Sequence, residues 1–206
     1  GEETELRWFT PSVEVGLCGH ATLAAGHVLL VERGHPGPTV RFQSRSGPLT
    51  VTREGDLLWL DLPARPTAPC PAPEGLARAL GRAPVEVRKA RSYLAVFSSA
   101  EDVRALQPDM QALAALDSRA VTVTAPGEDV DFVSRFFAPQ LGIPEDPVTG
   151  SAHCGLAPYW SARLGKRRLT ARQLSARGGE LCCEDCGERV RVGGQAVLYM
   201  RGELEL

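Results

Sequence analysis

The sequence predicts an α+β fold of two related halves, each a central helix wrapped by short, mostly antiparallel strands. Three observations predict it. Apolar and polar residues alternate in several short runs, two helical segments are apolar on nearly every face, and one short motif occurs twice.

The alternating runs come first. Val40 and Phe42 alternate with polar neighbours, as do Leu49 and Val51; Leu58, Leu60 and Leu62 repeat the pattern. Val121 with Val123 and Val190 with Val192 do the same later in the chain. Strand side chains point alternately to two faces, so each run reads as a strand. Turn signals such as Ser46-Gly47-Pro48, Glu54-Gly55-Asp56 and Val192-Gly193-Gly194 separate them.

Two segments break the alternation. One runs from His20 to about Glu32 and stops at Gly34; its Leu23, Ala24, Ala25, Val28, Leu29, Leu30 and Val31 predict burial all round. The other runs from Ser151 to Leu164 and stops at Gly165, with Pro158 expected to bend it. Shorter amphipathic helices over 74–80 and 101–116 read as peripheral. Five prolines in the eleven residues of 63–73 read as an extended crossing. The expected division is therefore 1–70, with its central helix at about 20–32, and 71–206, with its central helix at about 151–164. Few strand runs precede the crossing, so apolar faces of the first helix are expected to stay wet.

The repeat ties the halves together. Arg7-Trp8-Phe9-Thr10-Pro11 recurs as Arg135-Phe136-Phe137-Ala138-Pro139. A loop follows each copy, and then a helix opens on Gly19-His20-Ala21 or on Gly150-Ser151-Ala152. A twofold arrangement would converge the free N–H groups and positive ends of both helices on one spot, suited to a carboxylate.

Composition narrows the function. The 206 residues are 43% hydrophobic and 23% charged, as in globular proteins, and the net charge of −2 gives no electrostatic reason to bind nucleic acid or an anionic membrane. The longest apolar run, Ala21 to Val31, is about half of what a bilayer needs. The six cysteines are irregularly spaced and read as reduced thiols of a cytoplasmic protein. Cys183 and Cys186 have the spacing of half a zinc site but no partner pair, so no metal is expected there.

Leu17-Cys18-Gly19-His20-Ala21-Thr22-Leu23-Ala24 resembles the first signature of the phenazine-biosynthesis-like isomerase family. Arg135-Phe136-Phe137-Ala138-Pro139 with Gly142-Ile143-Pro144-Glu145-Asp146-Pro147-Val148-Thr149-Gly150-Ser151-Ala152-His153 resembles the second, and Arg177-Gly178-Gly179-Glu180-Leu181 a weaker third. Among family members the sequence looks closest to the vertebrate phenazine-biosynthesis-like domain proteins. The resemblance implies a diaminopimelate-epimerase-like fold: two pseudo-twofold-related domains, each a β-barrel-like sheet around a central helix, with the active site in the cleft between them. It implies an isomerase that moves a proton on a small carboxylate-bearing molecule without a cofactor, and a homodimer is a further expectation. Within it, His20 and Asp146 match the family's acid–base residues, and Gly19, Gly150 and Ser151 would hold the carboxylate.

Two departures matter. The family's proton-shuttling glutamate lies in an Asn-Leu-Ser-Glu-Thr-type stretch that is absent here, and Glu2, Glu3 and Glu5 stand in no matching context. The chain also opens without methionine, so it is expected to be a fragment of a longer parent. That favours an isomerase for the parent and a non-catalytic interaction protein for the chain as it stands. Epimerases and racemases of the same fold use two facing cysteines; Cys18 stands at the first position, but Thr149 occupies the mirrored one. A two-thiol racemase is thereby excluded and a Cys18/Thr149 dehydratase is the further alternative, with Cys18 otherwise expected to be a small buried residue.

Overall fold

The computed structural model describes residues 4–9, 13–203 and 205. The polypeptide divides into two compact units, Gly1–Asp61 with Gly193–Leu206, and Leu62–Val192.

The first unit carries β1 (Thr4–Glu5), β2 (Trp8–Phe9), β3 (Glu14–Val15), α1 (Gly19–His27), β4 (Thr39–Ser44), β5 (Gly47–Glu54) and β6 (Leu57–Pro63). β1, β4, β5 and β6 form a sheet in that order, with β1 parallel to β4 and the rest antiparallel. β2 and β3 pair separately. The register sets Val40 opposite Val51, Phe42 opposite Leu49 and Val51 opposite Leu60, so the alternating apolar residues form one buried layer.

α1 continues past His27 as a π-helical turn, Val28–Glu32. The helix is buried on one side only, against the expectation of burial all round and in line with the expectation that some of its apolar faces stay wet. Thr22, Gly26 and Leu30 are buried, while Ala24 is exposed and Val28 and Val31 are 38% and 37% exposed. It rests on β5, and one sheet covers one side of a helix. The contact depends on Gly26: a Cβ built there would lie 2.5 Å from Val51 Cγ1 and 2.8 Å from Val51 Cβ. Val51 is fully buried and has nowhere to go. Gly26→Ala is therefore expected to destabilise by about 1–3 kcal/mol despite alanine's better helix propensity, read as a lower urea midpoint.

The second unit carries β7 (Ala68–Pro69), α2 (Leu76–Leu80), β8 (Glu86–Lys89), β9 (Tyr93–Val96), α3 (Ala100–Ala105), α4 (Met110–Ala114), β10 (Val121–Pro126), β11 (Phe132–Phe137), α5 (Gly150–Leu164), β12 (Arg168–Gln173), β13 (Gly179–Asp185) and β14 (Arg189–Gly194). Its strands follow the order β7-β8-β9-β10-β11-β12-β13-β14. β9 runs parallel to β10, and β11 to β12.

The helix expected over 101–116 is two helices. Pro108 disfavours helical backbone in the residue before it, and the Asp109 carboxylate then caps α4 by accepting from the Gln111 and Ala112 N–H groups at 2.9 and 3.0 Å. These short helices are not peripheral. Leu76, Leu80, Val103 and Leu113 are buried with Val121, Val123 and Phe137 in one core cluster. The opposite face of β10 meets α5, where the Trp160 indole donates to Thr124 Oγ1 at 3.0 Å and stacks on Phe132 at 5.7 Å. With both faces covered, Thr122 and Thr124 are buried along with Val121 and Val123. The alternation that predicted this strand reflects small polar residues that the core can satisfy: Thr124 donates in turn to the Val133 carbonyl at 2.7 Å.

α5 runs unbroken through Pro158. A proline in a helix cannot donate to the carbonyl four residues earlier, here that of Cys154. The Arg65 N–H takes that carbonyl at 2.8 Å instead, which fastens the proline-rich segment to the helix. Gly155 permits the approach, since a Cβ there would lie 3.2 Å from the Arg65 carbonyl oxygen. Among the described residues, no helix is long and apolar enough to cross a membrane.

Candidate active site

Gly19 is the first residue of α1 and Gly150 the first of α5, with Cys18 and Thr149 at the respective caps. Each loop leading to these helices is clamped by the arginine of the repeated motif. Arg7 donates twice to Glu14, at 3.0 and 2.9 Å. Arg135 donates twice to Glu145, at 2.7 and 3.0 Å, and its third nitrogen donates to the Val103 and Leu106 carbonyls. The repeat is therefore Arg, strand, loop and Glu, longer than its sequence match; an acid after each copy was the visible signal. Thr10 and Pro11 of the first copy lie outside the described residues. Lysine cannot reproduce this fork, so Arg135→Lys is expected to loosen the loop carrying Asp146 and lower activity several-fold while the melting temperature falls by only a few degrees.

In the first unit, Gly19 is buried and His20 exposed. Cys18 is half-buried, with its Sγ 3.4 Å from His20 Nε2. This corrects the expectation of a merely buried small residue: the loop turns the thiol onto the candidate histidine. The Cys18 carbonyl accepts from Thr22 N at 3.1 Å and Thr22 Oγ1 at 2.7 Å, which fixes the cap.

In the second unit, Asp146, Thr149 and Gln173 form one network. Gln173 is buried and its amide is fully used: Oε1 accepts from Thr149 N at 2.8 Å, and Nε2 donates to the Asp146 carbonyl at 2.7 Å and to Thr149 Oγ1 at 3.1 Å. Because Thr149 Oγ1 already accepts from Gln173, its own proton points to Asp146 Oδ2, 2.5 Å away. The carboxylate is thus aimed by a hydroxyl that is itself aimed by a buried amide. Gln173 was missed from the sequence, since an alternating strand residue carries no local mark of such a role.

Ser151 sits in the first turn of α5, one residue past Gly150, so it is not the cap; Thr149 is. It is half-buried, and its hydroxyl has no protein partner among the described residues. Two residues on, His153 is fully buried. Its Nδ1 donates to the Thr149 carbonyl at 2.8 Å, its Nε2 has no partner, and burial pushes its pKa down to about 4. Cys183, on β13, is fully buried and its thiol pKa is pushed up by burial; Cys186 is exposed. Of the five residues expected to form the site, Gly19 and His20 belong to the first unit, and Asp146, Gly150 and Ser151 to the second.

The sequence matches the family described as phenazine biosynthesis-like protein over residues 1–202. It is 54% identical over 201 residues to an uncharacterised isomerase of Pseudomonas aeruginosa, covering 98% of this chain and 78% of that protein. A mouse phenazine biosynthesis-like domain-containing protein is 39% identical, with 97% and 76% covered, so the bacterial protein shares more of the sequence than the vertebrate one. The expected vertebrate likeness is present. The crystal structure of an Enterococcus faecalis protein of the PhzF family superposes with a TM-score of 0.96 at 45% identity, covering all of this chain and 80% of that one. A probable proline racemase of Agrobacterium radiobacter shares the fold, with a TM-score of 0.62 at 13% identity and 98% and 72% coverage. By sequence and by fold, the chain belongs to the phenazine biosynthesis-like family.

Proposed function

We propose that the protein is a cofactor-independent isomerase that moves a proton on a small carboxylate-bearing substrate. The observation that carries this reading is the Asp146–Thr149–Gln173 network at the start of α5, next to Ser151. A base must lift a proton from one carbon and an acid must return one to another, and both must be aimed before the reaction begins. Asp146 is aimed. Gly150 and Ser151 lie where the N–H groups and positive end of a helix favour an anion, which supports a substrate carboxylate held there with its reacting carbons toward Asp146. For His20, at the start of α1, the acid–base role rests on the family resemblance. The net reaction consumes nothing: one C–H bond breaks, one forms, and the double bond shifts between them. Relatives named as isomerases support this chemistry at the level of the family.

A second reading is favoured by one contact. Cys18 Sγ lies 3.4 Å from His20 Nε2, as in a thiol activated by an imidazole, so a Cys18-dependent dehydratase is the competing function. Protein expressed from the complete reading frame, incubated in D2O with a panel of cyclic and amino-acid-like carboxylates and followed by NMR, separates them. Isomerisation gives a product of unchanged composition with deuterium at carbon; dehydration gives a product lighter by one water. Turnover that survives exhaustive dialysis against a chelator supports the cofactor-free reading, and loss restored by a metal ion refutes it.

A further inference from the structure

Ser151 lies on the wall of a cavity of about 200 Å³ within the second unit, which is also lined by Arg65, Arg91, Arg119, Ser92 and Thr122. Three arginines line one small cavity, and positive charges gathered in this way repel one another unless a partner offsets them. Several other arginines of the unit meet carboxylates, as Arg88 meets Glu86, Arg135 meets Glu145 and Arg172 meets Asp129. Among the described residues, Arg65, Arg91 and Arg119 meet none. The backbone that carries Arg65 is fixed against α5. The carbonyl released by Pro158 holds Arg65 N, and Gly155 leaves room for that segment to close on α5. The fields of Arg65 and Arg91 reach the helix, where they oppose the burial that lifts the Cys154 thiol to about 11. The planar fork of an arginine can bind two oxygens of a carboxylate or a phosphate at once.

We propose that this pocket takes a second anionic group of the substrate, a carboxylate or a phosphate, while the first is held at the start of α5. The substrate class is then a small dianion, with specificity set by the three arginines. This rests on the reading of Ser151 as a carboxylate-binding residue, and the test separates the two.

Titration calorimetry at fixed ionic strength compares acetate, malonate and phosphonoacetate. Both dianions are expected to bind at least about 100-fold more tightly than acetate, and the tighter of them identifies the second group. Arg91 and Arg119 are exposed, so Arg91→Ala and Arg119→Ala should fold normally. Each should weaken the dianions about tenfold and leave acetate unchanged. Arg65→Lys should give a smaller loss, because it keeps the charge and loses the fork. Ser151→Ala should weaken acetate and dianions alike. Dianions no tighter than acetate, or unaffected by the arginine substitutions, overturn the proposal and leave the reading of Ser151 intact. Arginine-dependent binding of inorganic phosphate, with acetate and Ser151→Ala both without effect, upholds the pocket as an anion site and removes Ser151 from the substrate.

Discussion

Asp146→Asn is expected to lower turnover about 10²- to 10⁴-fold, the usual cost of losing an acid–base group, with the fold intact. The amide oxygen still accepts from Thr149 Oγ1, so the loop keeps its shape and only the proton acceptor is lost. His20→Ala should cost a comparable factor, and Cys18→Ala little. Gln173→Leu discriminates further. It removes three hydrogen bonds around Thr149 and Asp146 while touching no substrate, so kcat should fall with Asp146 still present. Steady-state rates of the four variants beside their circular dichroism check this, and full activity in Asp146→Asn rules out its role as base.

Acidification from pH 7 to pH 4 is expected to remove roughly 3 kcal/mol of stability through His153 alone. The folded protein holds this imidazole neutral until about pH 4, because burial opposes charging. The unfolded chain takes up a proton near the ordinary value of 6.5. Between those values the unfolded state binds more protons, so the contribution is fully present above about 6.5 and is lost as pH falls toward 4. Urea denaturation across that window, compared with His153→Leu, isolates the effect: the variant's stability curve should be flatter by that amount. Parallel curves would mean the ring is solvated in the native state.

Much of this was legible because the relevant signals are local. Alternation at Val40, Phe42, Leu49 and Val51 located strands whose register could keep one apolar face, and Gly19 and Gly150 marked helix starts. The rest depended on partners distant in the chain. α1 reads as buried all round, yet what covers a helix is not encoded in its own apolar count. Pro108 splits a helix that periodicity alone would run through. Pro158 leaves α5 continuous, because Arg65, far away in sequence, takes the carbonyl it frees. The candidate acid Asp146 was recognisable from its motif, whereas Gln173, which aims it through Thr149, carries no motif. The thiol–imidazole contact of Cys18 with His20 depends on side-chain direction in a loop, which spacing does not specify.

The central claim is proton transfer between carbons that depends on Asp146 and His20 and not on the Cys18 thiol. It is tested most directly by locating solvent deuterium in the product of the complete protein and of its Cys18→Ala and Asp146→Asn variants. Deuterium at a carbon other than the one that lost its proton, formed by the wild type and Cys18→Ala and missing with Asp146→Asn, is the predicted result. Deuterium formed by Asp146→Asn and lost with Cys18→Ala would contradict it and assign the proton to the thiol.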